Sequence, residues 1–511
     1  MAMERTARTG LAVSLFAATL AASFHGPARA EPPCASLGEL RGRMAAAGPV
    51  EKPAVAEAFA ACVERAGAPL LTPAPTAGHV RALFAFRSPA ARVFLAGDMN
   101  GWSTSSNPLE RLEGTNLHVL ELEFPDGSRL DYKLVVEGTE WTLDPWNPRT
   151  MSGGYGPNSE LRTPAYAPPK EVEPAPETAR GAYEELTVES RSMGGPRRVV
   201  VWHHGNLPAE KEPVSALYLL DGLDYREFGK APAVAGNLMA SGKLPPLLIV
   251  LVPPVDRRTD YERDEAFERF LVTELVPAVE ARWRVRKDAA GRGVMGVSLG
   301  AFAALSVTAR YPGVFGRCGA QSTGNAVDAN FEALLADLAR LPAGAARFHL
   351  DVGTFESNLH GADLVARSRR LRAVLARRQP VQYREVPEGH SWGSWRARLA
   401  EAWTFFWGDA RTAPKVAPRP LEAPPEGVAR FSGATVSLDV KDADLGGVVR
   451  SLTAGRGLSV VAPPGLAGTV TATLRDVPWD QALDLVLAGN GWTYVRDGTA
   501  IRIVRRGNPD L

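Results

Sequence analysis

The sequence predicts a multidomain chain: an α/β core, preceded by a β-sandwich and followed by a small α+β module. Three observations predict it. Hydrophobic strands alternate with amphipathic helices over 179–409, the mark of a mainly parallel sheet covered by helices. Period-two strands bounded by turn residues fill 79–165, and a shorter β/α string fills 434–505. Proline-rich stretches, Thr163–Thr178 and 410–430, separate these units as semi-rigid spacers. At 511 residues the chain is also too long for a single core.

Charged residues make up 23% and nearly cancel, to a formal net charge of +1. That balance excludes a large basic nucleic-acid footprint and an acidic tail. Residues 1–30 read as a secretory signal: Arg5 and Arg8 precede the apolar run Leu11–Ala22, and Pro27-Ala28-Arg29-Ala30 sets small residues before a cut at Glu31. The run is short for a membrane span, which needs about 20 apolar residues. The expected location is the periplasm or the exterior, with no membrane span after signal cleavage.

Residues 31–72 read as a helical hairpin, Ser36–Ala47 and Lys52–Ala66 turned at Gly48-Pro49. Cys34 and Cys62 flank it and are expected to form a disulfide, because so small a unit has little core of its own. The third of three cysteines, Cys318, lies in an apolar run and reads as a buried, inert thiol.

In the sandwich, strands are expected at Val80–Phe86, Arg92–Ala96, His118–Phe124, Arg129–Glu137 and Glu140–Leu143, with turns at Asp98–Gly101 and Pro125-Asp126-Gly127. The segment Phe94–Trp102, then Tyr132-Lys133, Trp141 and Asp144-Pro145, resembles the early-set, glycogen-binding-module family. That resemblance implies an immunoglobulin-like sandwich in which Trp102, Lys133 and Trp141 stand at sugar-gripping positions; indole faces stack well on sugars. The competing reading is that these tryptophans pack the sandwich and its interface with the next unit.

In the α/β core, strands are expected at Arg198–His203, Ala216–Leu220, Leu247–Val252, Arg292–Met295, Cys318–Ser322, Ala346–Val352 and Val381–Val386. The clearest helices are Glu265–Trp283 and Leu299–Arg310. Between strand and helix lies Gly296-Val297-Ser298-Leu299-Gly300, a G-x-S-x-G elbow of the α/β-hydrolase fold. A turn so sharp needs small neighbours, exposes the Ser298 hydroxyl and sets the Leu299 N–H where an oxyanion would form. A second such N–H is expected from Leu223, in the loop after Ala216–Leu220. The base must follow the nucleophile in this fold. Of eight histidines only His349, His360 and His390 do so. His349 sits inside a strand, whereas His390 lies in a short strand-to-helix loop, Pro387–Trp392. The acid should follow the preceding strand: Glu356 lies in the loop past its end and is favoured over Asp351, within the strand, and over Asp363.

These landmarks, Leu220-Asp221-Gly222, Arg257 to Glu262, Glu274–Pro277, the elbow, Gln321-Ser322 and Gly389-His390-Ser391-Trp392, resemble the enterochelin esterase (esterase D-like) family over the whole core. The resemblance implies hydrolysis of siderophore trilactones or related esters, with Ser298, His390 and Glu356 catalytic. Feruloyl and acetyl-xylan esterases are relatives and supply the alternative substrate. One departure stands out: Ser391 occupies a position where many relatives carry Asp. Arg226, Arg257 and Arg258 lie on the catalytic edge, where guanidinium groups would clamp an anionic substrate or else pair with Asp256, Asp260 or Glu262.

The last unit is a strand-helix-strand-strand-helix-hairpin string. Val436–Asp444 and Asp476–Asp484 resemble the secretin and TonB short N-terminal domain, which implies an envelope protein partner. No metal-ligand cluster or phosphate loop occurs in the sequence, so no cofactor is expected. A non-catalytic envelope scaffold with a dormant core is the remaining alternative.

Overall fold

The computed structural model describes residues 34–154, 156–175, 181–204, 212–324, 327–359, 361–408, 435–454, 459–463, 466–488, 490, 492–497 and 500–505. The expected signal segment, the spacer 410–430 and His360 lie outside the described residues, as does part of the first spacer.

Eight strands build the central sheet: β1 (Ala182–Ser190), β2 (Gly195–His203), β3 (Ser215–Leu220), β4 (Leu247–Val252), β5 (Arg292–Val297), β6 (Arg317–Gln321), β7 (Arg347–Gly353) and β8 (Val381–Val386). Their spatial order is β1-β2-β4-β3-β5-β6-β7-β8, antiparallel at the β1-β2-β4 end and parallel from β4 onward. This is the α/β-hydrolase arrangement. Central strands such as Leu247–Val252 are buried on both faces, which is why they read as continuous apolar runs rather than alternating ones. Their side chains feed two cores on opposite faces of the sheet, one against helix Leu299–Arg310 and one against Leu399–Trp407.

Four sequence expectations need correction. Strand β1 was absent from them because its residues, Ala-Tyr-Glu-Glu-Leu-Thr-Val-Glu-Ser, are mostly exposed on a sheet edge and carry little apolar signal. Glu265–Trp283 is not one uniform helix: α-turns at Glu265–Arg269 and Val276–Arg282 flank a π-helical stretch, Phe270–Leu275. Pro277 lacks an N–H and would crowd the preceding turn of a regular helix, and the wider π turn relieves that. Nor is the hairpin of residues 31–72 separate from the sandwich. Helices Leu37–Ala46 and Lys52–Ala66 pack Leu40, Phe59 and Val63 against Leu83, Val119 and Trp146, and Leu70–Pro73 pairs with His79–Arg87 as a sandwich strand. Cys34 and Cys62 are joined by a disulfide.

The sandwich stacks a four-stranded sheet (Leu70–Pro73, His79–Arg87, Leu117–Pro125, Glu110–Arg111) on a five-stranded one (Val93–Gly97, Arg129–Val136, Gly156–Arg162, Thr150–Gly153, with Glu140–Thr142 on the side). Ala82, Phe84, Leu95, Tyr132 and Leu161 fill the space between them. The chain from Thr163 onward is also more than a spacer: Asn237 donates from its amide to the carbonyls of Glu171 and Glu173, and Val172 packs on the hydrolase core. The C-terminal module is described by itself. Strands Thr435–Asp444 and Thr469–Pro478 pair antiparallel, Ser459–Val461 joins the hairpin Trp492–Asp497 and Ala500–Arg505, and helices Leu445–Thr453 and Trp479–Ala488 close the core. Among the described residues, no helix is long and apolar enough to cross a membrane.

Candidate active site

Ser298 sits between β5 and helix Leu299–Arg310 with φ 54° and ψ −120°, a backbone conformation that L-residues avoid. Holding it costs roughly 1–3 kcal/mol and requires close packing on both sides. The glycines permit that packing. A Cβ on Gly296 would stand 2.3 Å from the Gly300 carbonyl, and one on Gly300 would stand 2.9 Å from Asp221 Oδ2. The Ser298 N–H donates to the Gln321 carbonyl at 2.8 Å, which ties the elbow to the end of β6.

His390 Nε2 lies 3.0 Å from Ser298 Oγ, and His390 Nδ1 lies 2.6 Å from Glu356 Oε2. A carboxylate only accepts, so Nδ1 carries the proton and Nε2 turns its lone pair toward the serine hydroxyl. Glu356 is 1% exposed. Its second oxygen accepts from the Ser322 hydroxyl and the Gly353 N–H, each at 2.7 Å. Ser322 in turn accepts from the Trp395 indole N–H at 2.9 Å, and the Trp395 ring meets the imidazole edge-on with centroids 4.8 Å apart. The carboxylate is thus fixed at both oxygens and the imidazole on one flank. Ser322 was visible in the sequence only as part of the Gln321-Ser322 landmark, and Trp395 not at all; in the structure Ser322, like Ser298, has positive φ.

Asp351 belongs to a different set. It accepts from the Gln321 amide at 3.0 Å, faces His349 Nε2 at 2.9 Å and pairs with Arg398. Burial works against its charge, but Arg398 and His349 hold its pKa below the ordinary value. Asp363 caps helix Leu364–Leu375 by accepting the Ala366 N–H. Of the three candidate acids, only Glu356 touches His390 among the bonds described.

Leu299 opens its helix and Leu223 lies in the first turn of Gly222–Glu227, so both N–H groups belong to helix starts, which lack intrahelical partners. The arginines divide. Arg257 makes two bonds of 2.9 Å to Asp221 and one of 3.1 Å to the carbonyl of Val297, the residue before Ser298. Asp221 is buried, which raises its pKa against the pull of Arg257. Arg258 pairs with Glu262 on the surface, and Arg226 lies over the Tyr183 ring. Cys318 is buried with its thiol pushed up to about 12, far from a nucleophile's range.

The sandwich tryptophans are also divided. Trp102 donates from its indole to Asp98 Oδ1 at 3.2 Å and packs on the hydrolase cluster Val352, Leu359, Leu364 and Val365. Trp141, 6.3 Å from it between centroids, is 44% exposed, while Lys133 lies on strand Arg129–Val136, half-buried. One tryptophan is therefore committed to the domain interface. Among the described residues no group of three or more His, Cys, Asp or Glu is arranged to hold a metal.

Comparison with known proteins places the central unit. Residues 190–406 match the Esterase family model. The central unit is an Esterase-family domain. Residues 73–147 match carbohydrate-binding module 48 (isoamylase N-terminal domain), and 458–506 match the secretin and TonB N terminus short domain. Among solved structures, the enterobactin esterase FES of Shigella flexneri superimposes on 67% of this chain and 96% of its own, with a TM-score of 0.56 and 22% identity, a likeness of fold. Over 158 residues the chain is 27% identical to an endo-1,4-beta-xylanase/feruloyl esterase of Xylanibacter ruminicola, covering 28% of this chain and 22% of that one. The chain is 34% identical over 76 residues, 15% of its length, to the type IV pilus biogenesis and competence protein PilQ of Neisseria gonorrhoeae. The chain spans only 11% of the length of that PilQ.

Proposed function

We propose that this chain is an exported serine esterase that hydrolyses its substrate through an acyl-enzyme on Ser298. The observation that carries the reading is the continuous line from Ser298 Oγ through His390 to Glu356, at 3.0 and 2.6 Å. His390 Nε2 takes the hydroxyl proton as Oγ attacks the ester carbonyl. The resulting oxyanion is met by the N–H groups of Leu299 and Leu223. His390 then returns the proton to the departing alkoxide, leaving the acyl-enzyme and free alcohol. Water, deprotonated by the same imidazole, attacks the acyl carbon and releases the acid. Glu356 holds the imidazole in the productive tautomer and stabilises the imidazolium.

The substrate we favour is a siderophore trilactone or a related ester. The sandwich-plus-hydrolase pair corresponds to 96% of the Shigella flexneri enterobactin esterase, which supports this choice. Arg257, its side chain 42% exposed beside the elbow, is the residue we assign to an anionic substrate, with Arg258 and Arg226 as further candidates. A feruloyl or acetyl ester on polysaccharide is favoured by a different observation, the Xylanibacter ruminicola relative together with the exposed Trp141. In that reading Trp141 and Lys133 engage glycan, with Trp102 buttressing them. The C-terminal module would dock on an envelope protein, in keeping with its likeness to PilQ. The deciding experiment is turnover of ferric catecholate trilactone beside feruloylated and acetylated xylan by residues 31–511, with retention on insoluble glucan. Trilactone hydrolysis without retention supports the first reading; retention with xylan-ester hydrolysis replaces it with the second.

A further inference from the structure

We propose that the sandwich is part of the esterase active site, with Arg129 and Asp98 acting as positioning residues for the His390 loop. The inference rests on the catalytic roles proposed above for Ser298 and His390. Arg129 begins a sandwich strand, yet its backbone N–H donates to the Pro387 carbonyl at 3.1 Å and it bridges in parallel to Glu388. Its guanidinium is fully buried and spends one nitrogen on each of three partners: Glu160 at 2.6 Å, Asp131 at 2.5 Å and Ser391 Oγ at 2.6 Å. One residue thus holds the chain just before His390 through its backbone and just after it through its side chain.

Asp98 backs the loop from the same side. A Cβ on Gly389 would fall 1.9 Å from Asp98 Cγ, so only glycine fits beside it. Asp98 is itself fixed, accepting from the Asp131 N–H at 2.7 Å and from the Trp102 indole. A Cβ on Gly393 would lie 2.1 Å from Arg129 Nη2, so the helix that follows the loop is pressed against the guanidinium. The loop carrying Glu356 leans on the sandwich as well: Phe355 meets Phe124 with centroids 6.2 Å apart, and Gly101 lies against the Asn358 carbonyl.

Ser391 now has a physical account. Arg129 already answers two buried carboxylates, and Glu388 stands near it. A hydroxyl at 391 accepts the remaining guanidinium nitrogen without adding a third carboxylate that would have to be desolvated. A displacement of about 1 Å in a catalytic group can cost on the order of a hundredfold in rate, so a loop held this tightly sets the His390–Ser298 distance.

Arg129 itself is a poor test, because its removal takes the buried Asp131 from its arginine and leaves Glu160 with Arg162 alone. Ser391→Ala leaves those pairs intact, and Ser391→Thr restores the hydroxyl. The full chain and both variants are assayed with p-nitrophenyl butyrate, with active sites titrated by a phosphorylating reagent and unfolding followed in urea. We expect kcat per titrated site to fall about ten- to a hundredfold in Ser391→Ala, with KM within about twofold, and to recover in Ser391→Thr. An unchanged kcat in Ser391→Ala, or a fall in the unfolding midpoint alone, overturns the proposal. Gly389→Ala supplies an independent arm: its loss of kcat should be partly relieved by adding Asp98→Ala, and strict additivity of the two would contradict the wedge. Ser298→Ala run alongside separates the two levels, since turnover surviving there would sink the catalytic reading rather than the positioning one.

Discussion

Glu356 Oε2 stands 2.6 Å from His390 Nδ1 while its other oxygen is held by Ser322 and Gly353. Asp351, five residues earlier on β7, is engaged with Gln321, His349 and Arg398. The two acids therefore predict opposite phenotypes. Glu356→Gln keeps the shape but places an amide donor where Nδ1–H needs an acceptor, and kcat should fall about 10³- to 10⁴-fold with little change in stability. Asp351→Asn removes one of the two buried carboxylates that answer Arg398, leaving Glu388 at 3.1 Å, and should cost about 1–3 kcal/mol of stability with a much smaller effect on kcat. Steady-state kinetics beside urea unfolding of both variants checks the assignment; the reverse pattern would make Asp351 the acid.

Asp98 should make stability depend on pH. Burial, and then the neighbouring Asp131, raise its pKa from the ordinary 3.8 to about 7, against the pull of Arg129; Glu356 also faces it and adds to the rise. The folded state thus keeps a proton that the unfolded chain releases. Its stabilising contribution is full below pH 4, declines between about pH 4 and pH 7, and is lost above that. Asp98→Asn, which cannot ionise, should lack this decline. Thermal unfolding of wild type and variant from pH 4 to pH 8 should show wild type losing ground to the variant across that window; parallel curves would exclude the raised pKa.

The Cys34–Cys62 disulfide closes a separation of 28 residues on a hairpin whose core is shared with the sandwich. Replacing both cysteines with Ser should lower stability by about 3 kcal/mol through the freed unfolded chain. Reduced and oxidised protein, compared by urea unfolding, should differ likewise, while kcat should change little because neither cysteine touches Ser298, His390 or Glu356.

The elbow and the proposed base were legible in the sequence because their signals are local. Ser298 lies between a strand and a helix, with glycines where a side chain would meet backbone, and His390 lies in a short loop after a strand. Glu356 was legible only as a loop position, since spacing cannot say which acid turns toward the imidazole. Arg129 and Ser391 are 262 residues apart and in different domains, so no periodicity or motif could join them. The glycines at 389 and 393 were visible as residues, but their reason lies in side chains from the sandwich. Strand β1 escaped because edge strands need no apolar alternation, and the π turn at Phe270–Leu275 because helical periodicity does not register one added residue per turn.

The central claim is an acyl-enzyme on Ser298. Rapid acid quench of the wild-type chain during turnover of p-nitrophenyl butyrate, followed by peptide mass spectrometry, tests it most directly. The account predicts a butyryl group on Ser298, a pre-steady-state burst of nitrophenol equal to the enzyme concentration, and loss of both in Ser298→Ala with kcat lowered at least about 10⁴-fold. Full turnover by Ser298→Ala, or acylation at another residue, would contradict it.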